Sequence, residues 1–299
     1  MRLRSVRFQG VGIYEEAWVK KAMIIVSAAI VGVAASLLMR PAPTPSRRLL
    51  PPIALEFTPA IAPEIANGPV PRLHDGLPDL TGPWVGGGSN TDIEAQGGLK
   101  PGELPLLPWA RALRDSRREQ DDPYLYCVPS GIPRSNSFPW RVLQAYTAKG
   151  PTHIFVIHEH GDAGGRRQIF MDGRRHPVDP IPTWWGHSIG RWEGDTLVID
   201  TVGINDKYWF DRRGTPHTEQ LHIIERWTRI NYGKMTKEMT LDDPGAFSRP
   251  VNLKFEATAL PPGEELMEFI CIENNQYGAA AGIPNIYSEK GYGLETAPK

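Results

Sequence analysis

The 299-residue chain is short of cysteine, of net charge and of long apolar runs, and each shortage excludes something. Two cysteines occur, Cys127 and Cys271, with no CxxC pair, which argues against thiol catalysis and a cysteine-based zinc site. Lys and Arg total 33 against 34 Asp and Glu, a formal charge of −1, so there is no basic surplus for a nucleic-acid partner. No P-loop or GxGxxG is present, and Gly86-Gly-Gly-Ser89 reads as a turn because no helix signal follows it. No repeat of fixed period is evident, which argues against a propeller or solenoid. Glycine (30) and proline (29) are too frequent for an all-helical bundle.

One long apolar run is there. Residues 22–39 are uncharged, follow Lys20 and Lys21, and lie downstream of Arg2, Arg4 and Arg7. Eighteen apolar residues behind a basic flank read as a transmembrane anchor or a long signal peptide. Ala34, Ala35 and Ser36 offer a signal peptidase small residues, and a buried core helix is the ordinary alternative. Both exporting readings place the remainder in the periplasm, tethered to the inner membrane or released. Residues 41–78 carry ten prolines and little periodicity, the composition of an extended tether. Removing residues 1–40 leaves an exported part of charge −5. In an oxidising compartment Cys127 and Cys271 most simply form a structural disulfide, two separate buried thiols being the alternative.

The organisation that follows is a basic cytoplasmic N-terminus (1–21), the anchor or signal (22–39), a Pro-rich tether (40–79), a β domain (80–280) and a C-terminal tail (281–299). One helix begins near Pro108, with Leu106, Trp109, Ala110 and Leu113 at helical spacing, and stops at Asp121-Asp122-Pro123. Its other side, with Arg111, Arg114, Arg117 and Arg118, is expected to face solvent or acidic lipid. From residue 140 the pattern changes to short alternating runs. Strands are predicted at 140–147, 153–160, 167–171, 188–193, 196–201, 217–230, 235–241, 252–260 and 265–273. Alternation of period two buries one face and wets the other, as in antiparallel sheet. The fold class is therefore mainly β, an antiparallel, lipocalin-like β-barrel with one short N-terminal helix, closed so that no strand edge is exposed. Gly194-Asp195 is a two-residue hairpin turn that pairs Trp192 with Leu197 and Gly190 with Ile199 on one face, leaving Arg191, Val198 and Asp200 on the other.

Seven of the eight histidines lie between His153 and His222, and five of the nine tryptophans between Trp184 and Trp227. Two Gly/Pro-rich loops, 172–187 and 205–217, hold most of the titratable groups. A histidine beside a carboxylate can act as a general acid or base. The sequence-local pairs are His176 with Asp172 or Asp179, and His217 with Asp211. The plain alternative is that these aspartates only make turns. On a strand, Glu225 would lie with Ile223 and Trp227 and Arg226 with His222 and Ile224, so a buried Glu225 needs a partner, expected to be a loop arginine. His158 and His160 form an HxH that suits a divalent metal, but a solvated strand end is the more ordinary reading, and no metal or other cofactor is assigned.

The string DGRxHPxDxxPTWxGHSxGxWEGDTLVxDTxGxND, followed by GxPH and LHxxER, resembles a family of uncharacterised exported bacterial proteins. The resemblance covers about residues 78–276 and includes His176, Trp184, His187, Asp200, Trp209, Asp211, His217, His222, Glu225 and Arg226. It departs at His158 and His160, where the family has an aromatic–acidic pair. It implies export and carries no activity.

Together these readings anticipate a barrel that binds a small, partly apolar or carbohydrate-like molecule and acts on it as a hydrolase, lyase or isomerase. His176 and His217 would exchange protons, Asp172 and Asp211 orient them, and Arg174 or Arg226 steady an anion. Trp184, Trp185 and Trp209 would wall the pocket, with His187 and His222 also contacting the ligand. A non-catalytic carrier and an envelope scaffold are the alternatives. The expected partners are that small molecule and, through the N-terminal helix, the membrane.

Overall fold

A computed structural model describes residues 61–160, 165–269 and 271. Strict alternation builds the strands: in β8 (Lys234–Asp242) and β9 (Val251–Ala259) buried and solvated residues follow one another without interruption. The others are β1 (Gly82–Gly86), β2 (Trp140–Thr147), β3 (Gly150–His158), β4 (Arg166–Phe170), β5 (His187–Glu193), β6 (Thr196–Val202) and β7 (His222–Arg229). They pair in chain order and β9 returns to β1, closing a nine-stranded barrel. The mainly β, closed-barrel expectation holds. The β5–β6 hairpin has the expected register, Trp192 opposite Leu197 and Gly190 opposite Ile199, because Gly194 takes the positive φ (59°) that its turn needs.

All pairs are antiparallel except β4 with β5. Around a closed ring the strand direction must return to itself, so an odd number of strands requires a parallel pair. A parallel pair needs a long crossover, and residues 171–186 supply it. The Gly/Pro-rich loop singled out by its histidines is thus long for a topological reason. It is pinned near the end of β6 by Thr183, which exchanges backbone hydrogen bonds with Gly203 and Asn205.

Inside the barrel two apolar clusters sandwich a polar layer. One contains Trp84, Trp140, Val156, Ile199 and Trp227. The other contains Tyr208, Phe210, Ile223, Met239 and Leu253, and also Ile93 from α2 (Ile93–Gln96) and Ala110 from α3 (Pro108–Ser116). Along β7 the inward order is Ile223, Glu225, Trp227, and along β8 it is Met235, Lys237, Met239, so Glu225 and Lys237 fall between the clusters.

The structure corrects several expectations. β1 was not anticipated, since its Gly-Pro-Trp-Val-Gly lacks the β-branched alternation of the longer strands. The described part of 265–273 is irregular, so Cys271 does not lie on a strand. Cys127 and Cys271 do form a disulfide, with Cα atoms 5.4 Å apart. The proximal part of the tether packs on the barrel: α1 (Pro63–Ala66) precedes hydrogen bonds from Tyr232 and Gly233 to the Gly68 and Ala66 carbonyls, and Arg72 pairs with Asp195 at 2.6 Å. Arg114 is buried, 3.5 Å from Glu94, and Arg117 covers Trp209 at 4.7 Å while donating to the Gly214 carbonyl. Arg114 and Arg117 meet protein because loop residues with complementary groups fold over them, whereas Arg118 is exposed as expected, paired with Asp121 at 2.8 Å. No helix among the described residues is long and apolar enough to cross a membrane, and residues 22–39 lie outside the described residues, as does the tail 281–299.

Candidate active site

On the outer wall the crossover loop lays His176 against the strands that follow it. β5 turns His187 outward, β6 turns Asp200 outward, and β7 turns His222 outward, all at the parity opposite to the buried Ser188, Thr201 and Ile223. Asp200 Oδ1 accepts from His222 Nε2 at 2.7 Å and from His176 Nε2 at 3.1 Å. His176 Nδ1 lies 2.8 Å from His187 Nδ1. Four residues from the loop and three strands thus form one continuous chain, His222–Asp200–His176–His187.

The geometry assigns the protons. A carboxylate only accepts, so both Nε2 atoms facing Asp200 carry hydrogens. In the tautomer with hydrogen on His176 Nε2 alone, its Nδ1 accepts from His187 Nδ1–H and leaves His187 Nε2 as a free base. Burial lowers the His187 pKa, helped by the positive charge of Arg174 nearby, so the ring favours its neutral form. His187 also stacks on Phe170 at 5.1 Å, and the Arg174 guanidinium covers the Phe170 ring at 3.8 Å.

Beside this chain runs a groove of about 420 Å³ on the outside of β7–β9, lined by Gly97, Ile224, Arg226, Glu238, Thr240 and Lys254 among others. Ile224 is the cross-strand neighbour of Asp200, so the groove abuts the chain. Its size is in the range of small-molecule sites.

The expected pairings are redistributed. His176 meets Asp200 in place of Asp172, which Arg174 takes up at 2.5 Å in an exposed ion pair that holds the Asp172 carboxyl down at about 2. Asp179 is exposed. His217 does not join His176: it is buried, stacked on Phe210 at 4.5 Å and beside Tyr208 at 4.4 Å, and burial pushes its pKa down to about 3. Asp211 does not orient it. That carboxylate accepts from the Thr215 amide and hydroxyl and from the Ile93 amide, fixing the loop, and burial raises its pKa despite those bonds. Trp209 is buried under Arg117, away from any wall of the groove's lining. Trp184 and Trp185 pack on the core, and Trp185 stacks on His158 at 5.0 Å. Arg226 does line the groove, bonded to Glu193 at 2.8 Å.

His158 and His160 part company. His158 ends β3 pointing inward, whereas His160 lies beyond the strand, stacked on Phe138 and hydrogen-bonded to Tyr124. The strand ends before the second ring, so the two share no metal-binding face. No group of three or more metal-ligating side chains poised for an ion is found among the described residues. Asp200 was missed as a site residue although its outward face was legible; its neighbours across β7 and from the loop were not. No family model, curated protein or solved structure matches the chain.

Proposed function

We propose that this is an exported, membrane-tethered barrel protein of the cell envelope that binds a small, partly apolar or carbohydrate-like molecule on its outer wall and acts on it by imidazole–carboxylate acid–base chemistry. The observation that carries the reading is the Asp200 carboxylate shared by His176 and His222, with His176 passing the chain on to His187. His187 Nε2 takes a proton from the substrate, its Nδ1 proton moves toward His176, and Asp200 stabilises the resulting positive charge. Arg226 and Lys254 in the groove suit an anionic or hydroxyl-bearing group. Val178 and Ile181, exposed on the same loop as His176, suit an apolar part. The four linked residues all belong to the pattern shared with the exported family, which supports membership and a common site. The apolar run with its basic flank supports the anchor, and the Cys127–Cys271 disulfide agrees with an oxidising compartment. The closed meander is lipocalin-like, with the parallel β4–β5 pair as its departure from up-and-down order.

The test uses the full chain, in detergent, with two readouts. Carbethoxylation by diethyl pyrocarbonate, read by peptide mass spectrometry, should find His187 the fastest-reacting imidazole and slow about tenfold in Asp200→Asn. A panel of chromogenic esters, lactones and aryl glycosides should yield at least one turned over by wild type and about 10²-fold slower in His187→Gln. Equal labelling in both proteins and no turnover would overturn the reading. The envelope scaffold is the second reading, favoured by an interior occupied by Trp84, Trp140, Trp227, Arg167 and Lys237.

A further inference from the structure

The polar layer inside the barrel plays no part in the outer histidine chain, yet it is the most unusual group of side chains in the molecule. His158 (β3), Arg167 (β4), Glu225 (β7) and Lys237 (β8) all point inward and are buried. Arg167 and Glu225 pair at 2.5 Å and cancel. Arg167 also donates to the Ser188 and Thr201 hydroxyls, and Glu225 accepts from Trp227 Nε1 at 3.1 Å. Tyr208 donates its hydroxyl to the Ile132 carbonyl.

What remains is a cation without an acceptor. Lys237 Nζ lies 4.1 Å from the Trp227 ring and 4.8 Å from the Trp140 ring, and has no hydrogen-bond partner among the described residues. The indole faces favour positive charge but accept no directed N–H bond. The His158 ring is likewise buried, with the Ser135 backbone carbonyl facing it. Glycine at position 87 leaves room for the lysine stem, since a Cβ there would stand 2.8 Å from Lys237 Cδ.

With Lys237 charged, the layer sums to one positive charge, and the three N–H donors of Lys237 have no acceptor among the described residues. We propose that the barrel interior binds a small monovalent anion, a halide or a carboxylate the size of formate, held by Lys237 Nζ on the side away from the indole faces. One negative charge closes the balance, and the donors supply what such an anion accepts. Without an anion the layer sheds its excess charge in another way: burial draws the Lys237 pKa down to about 7, against the pull of Glu225.

The experiment follows thermal unfolding of the full chain at constant ionic strength and slightly acidic pH, with sodium gluconate replaced stepwise by sodium formate or bromide. Gluconate, a bulkier hydroxylated carboxylate, serves as the reference anion. The midpoint of the wild type should climb by several degrees with rising formate or bromide, as mass action requires of a ligand that binds only the folded state. Lys237→Met should not respond. Equal responses, or none in the wild type, would mean that ordered water alone fills the layer, and the proposal fails. Should Lys237→Met not fold, crystals of the wild type grown in bromide decide: an anomalous peak beside Lys237 Nζ supports the anion, and its absence there refutes it. Neither outcome touches the outer-wall reading, which involves other residues.

Discussion

Arg167 and Glu225 show how one residue's environment decides what it contributes. Each is at most 1% exposed. Burial alone would raise the Glu225 carboxyl, but the charges of Arg167 and Lys237 outweigh it and hold its pKa below the ordinary range. Removing one partner strands the other charge in the core, which costs about 3–5 kcal/mol. Glu225→Ala should therefore lower stability by roughly that amount in urea denaturation, while the double change Arg167→Met, Glu225→Leu should cost clearly less. If the double variant is as damaged as the single one, the pair is not the origin of the loss. Sequence parity alone placed Glu225 beside Trp227 and demanded a partner, but the partner came from β4, not from a loop, because pairing across the barrel depends on closure. Lys237 was legible in the same way, at the inward parity between Met235 and Met239, and the amphipathic reading of β8 passed over it.

At the scale of elements, the crossover 171–186 carries the site. Its length follows from ring parity, and its course over β5–β7 brings His176 to Asp200. Gly186 closes it with φ +63°, where an added Cβ would stand 2.7 Å from the Val202 carbonyl oxygen. Gly186→Ala should therefore destabilise the chain by more than about 1 kcal/mol. It should also slow carbethoxylation of His187, because the loop that holds His176 against it must shift. Unchanged labelling in a folded variant would show that the loop does not position His187. The β5–β6 hairpin was readable residue by residue because a two-residue turn fixes register locally. The loop's seat was not, since it depends on β4 lying parallel to β5, and no local pattern announces a parallel pair between otherwise antiparallel strands.

The whole molecule is held by closure and by a cross-link. The disulfide joins residues 144 apart, tying the segment after α3 to the chain beyond β9. Constraining so large a loop is worth about 3–5 kcal/mol in the chain-entropy account, so Cys127→Ser, Cys271→Ser should unfold at correspondingly lower urea. A double variant as stable as the parent would mean that the bridge contributes little.

Titration of the buried groups sets a less familiar property, an alkaline optimum of stability. His158 and His217 have pKa values near 3 when folded, because burial penalises their charged forms, against an ordinary value of 6.5. Between those values the unfolded chain binds more protons than the folded one, so stability rises with pH and is lost on acidification below 6.5. Asp211 and Asp243, whose carboxyls burial raises, offset part of this loss over the carboxylate range. Lys237 adds a second limb. Its folded value of about 7 lies below the ordinary 10.5, so the unfolded chain again holds the extra proton and stability climbs between them. Tyr146 and Tyr208, with hydroxyls that burial holds protonated, reverse the trend above about pH 10. Urea midpoints measured across pH in gluconate should therefore peak at about pH 9–10, above the usual range of about 5–8. His217→Phe should flatten the acid limb and Lys237→Met the alkaline one. An alkaline limb of unchanged slope in Lys237→Met would show that the buried amine is not its cause.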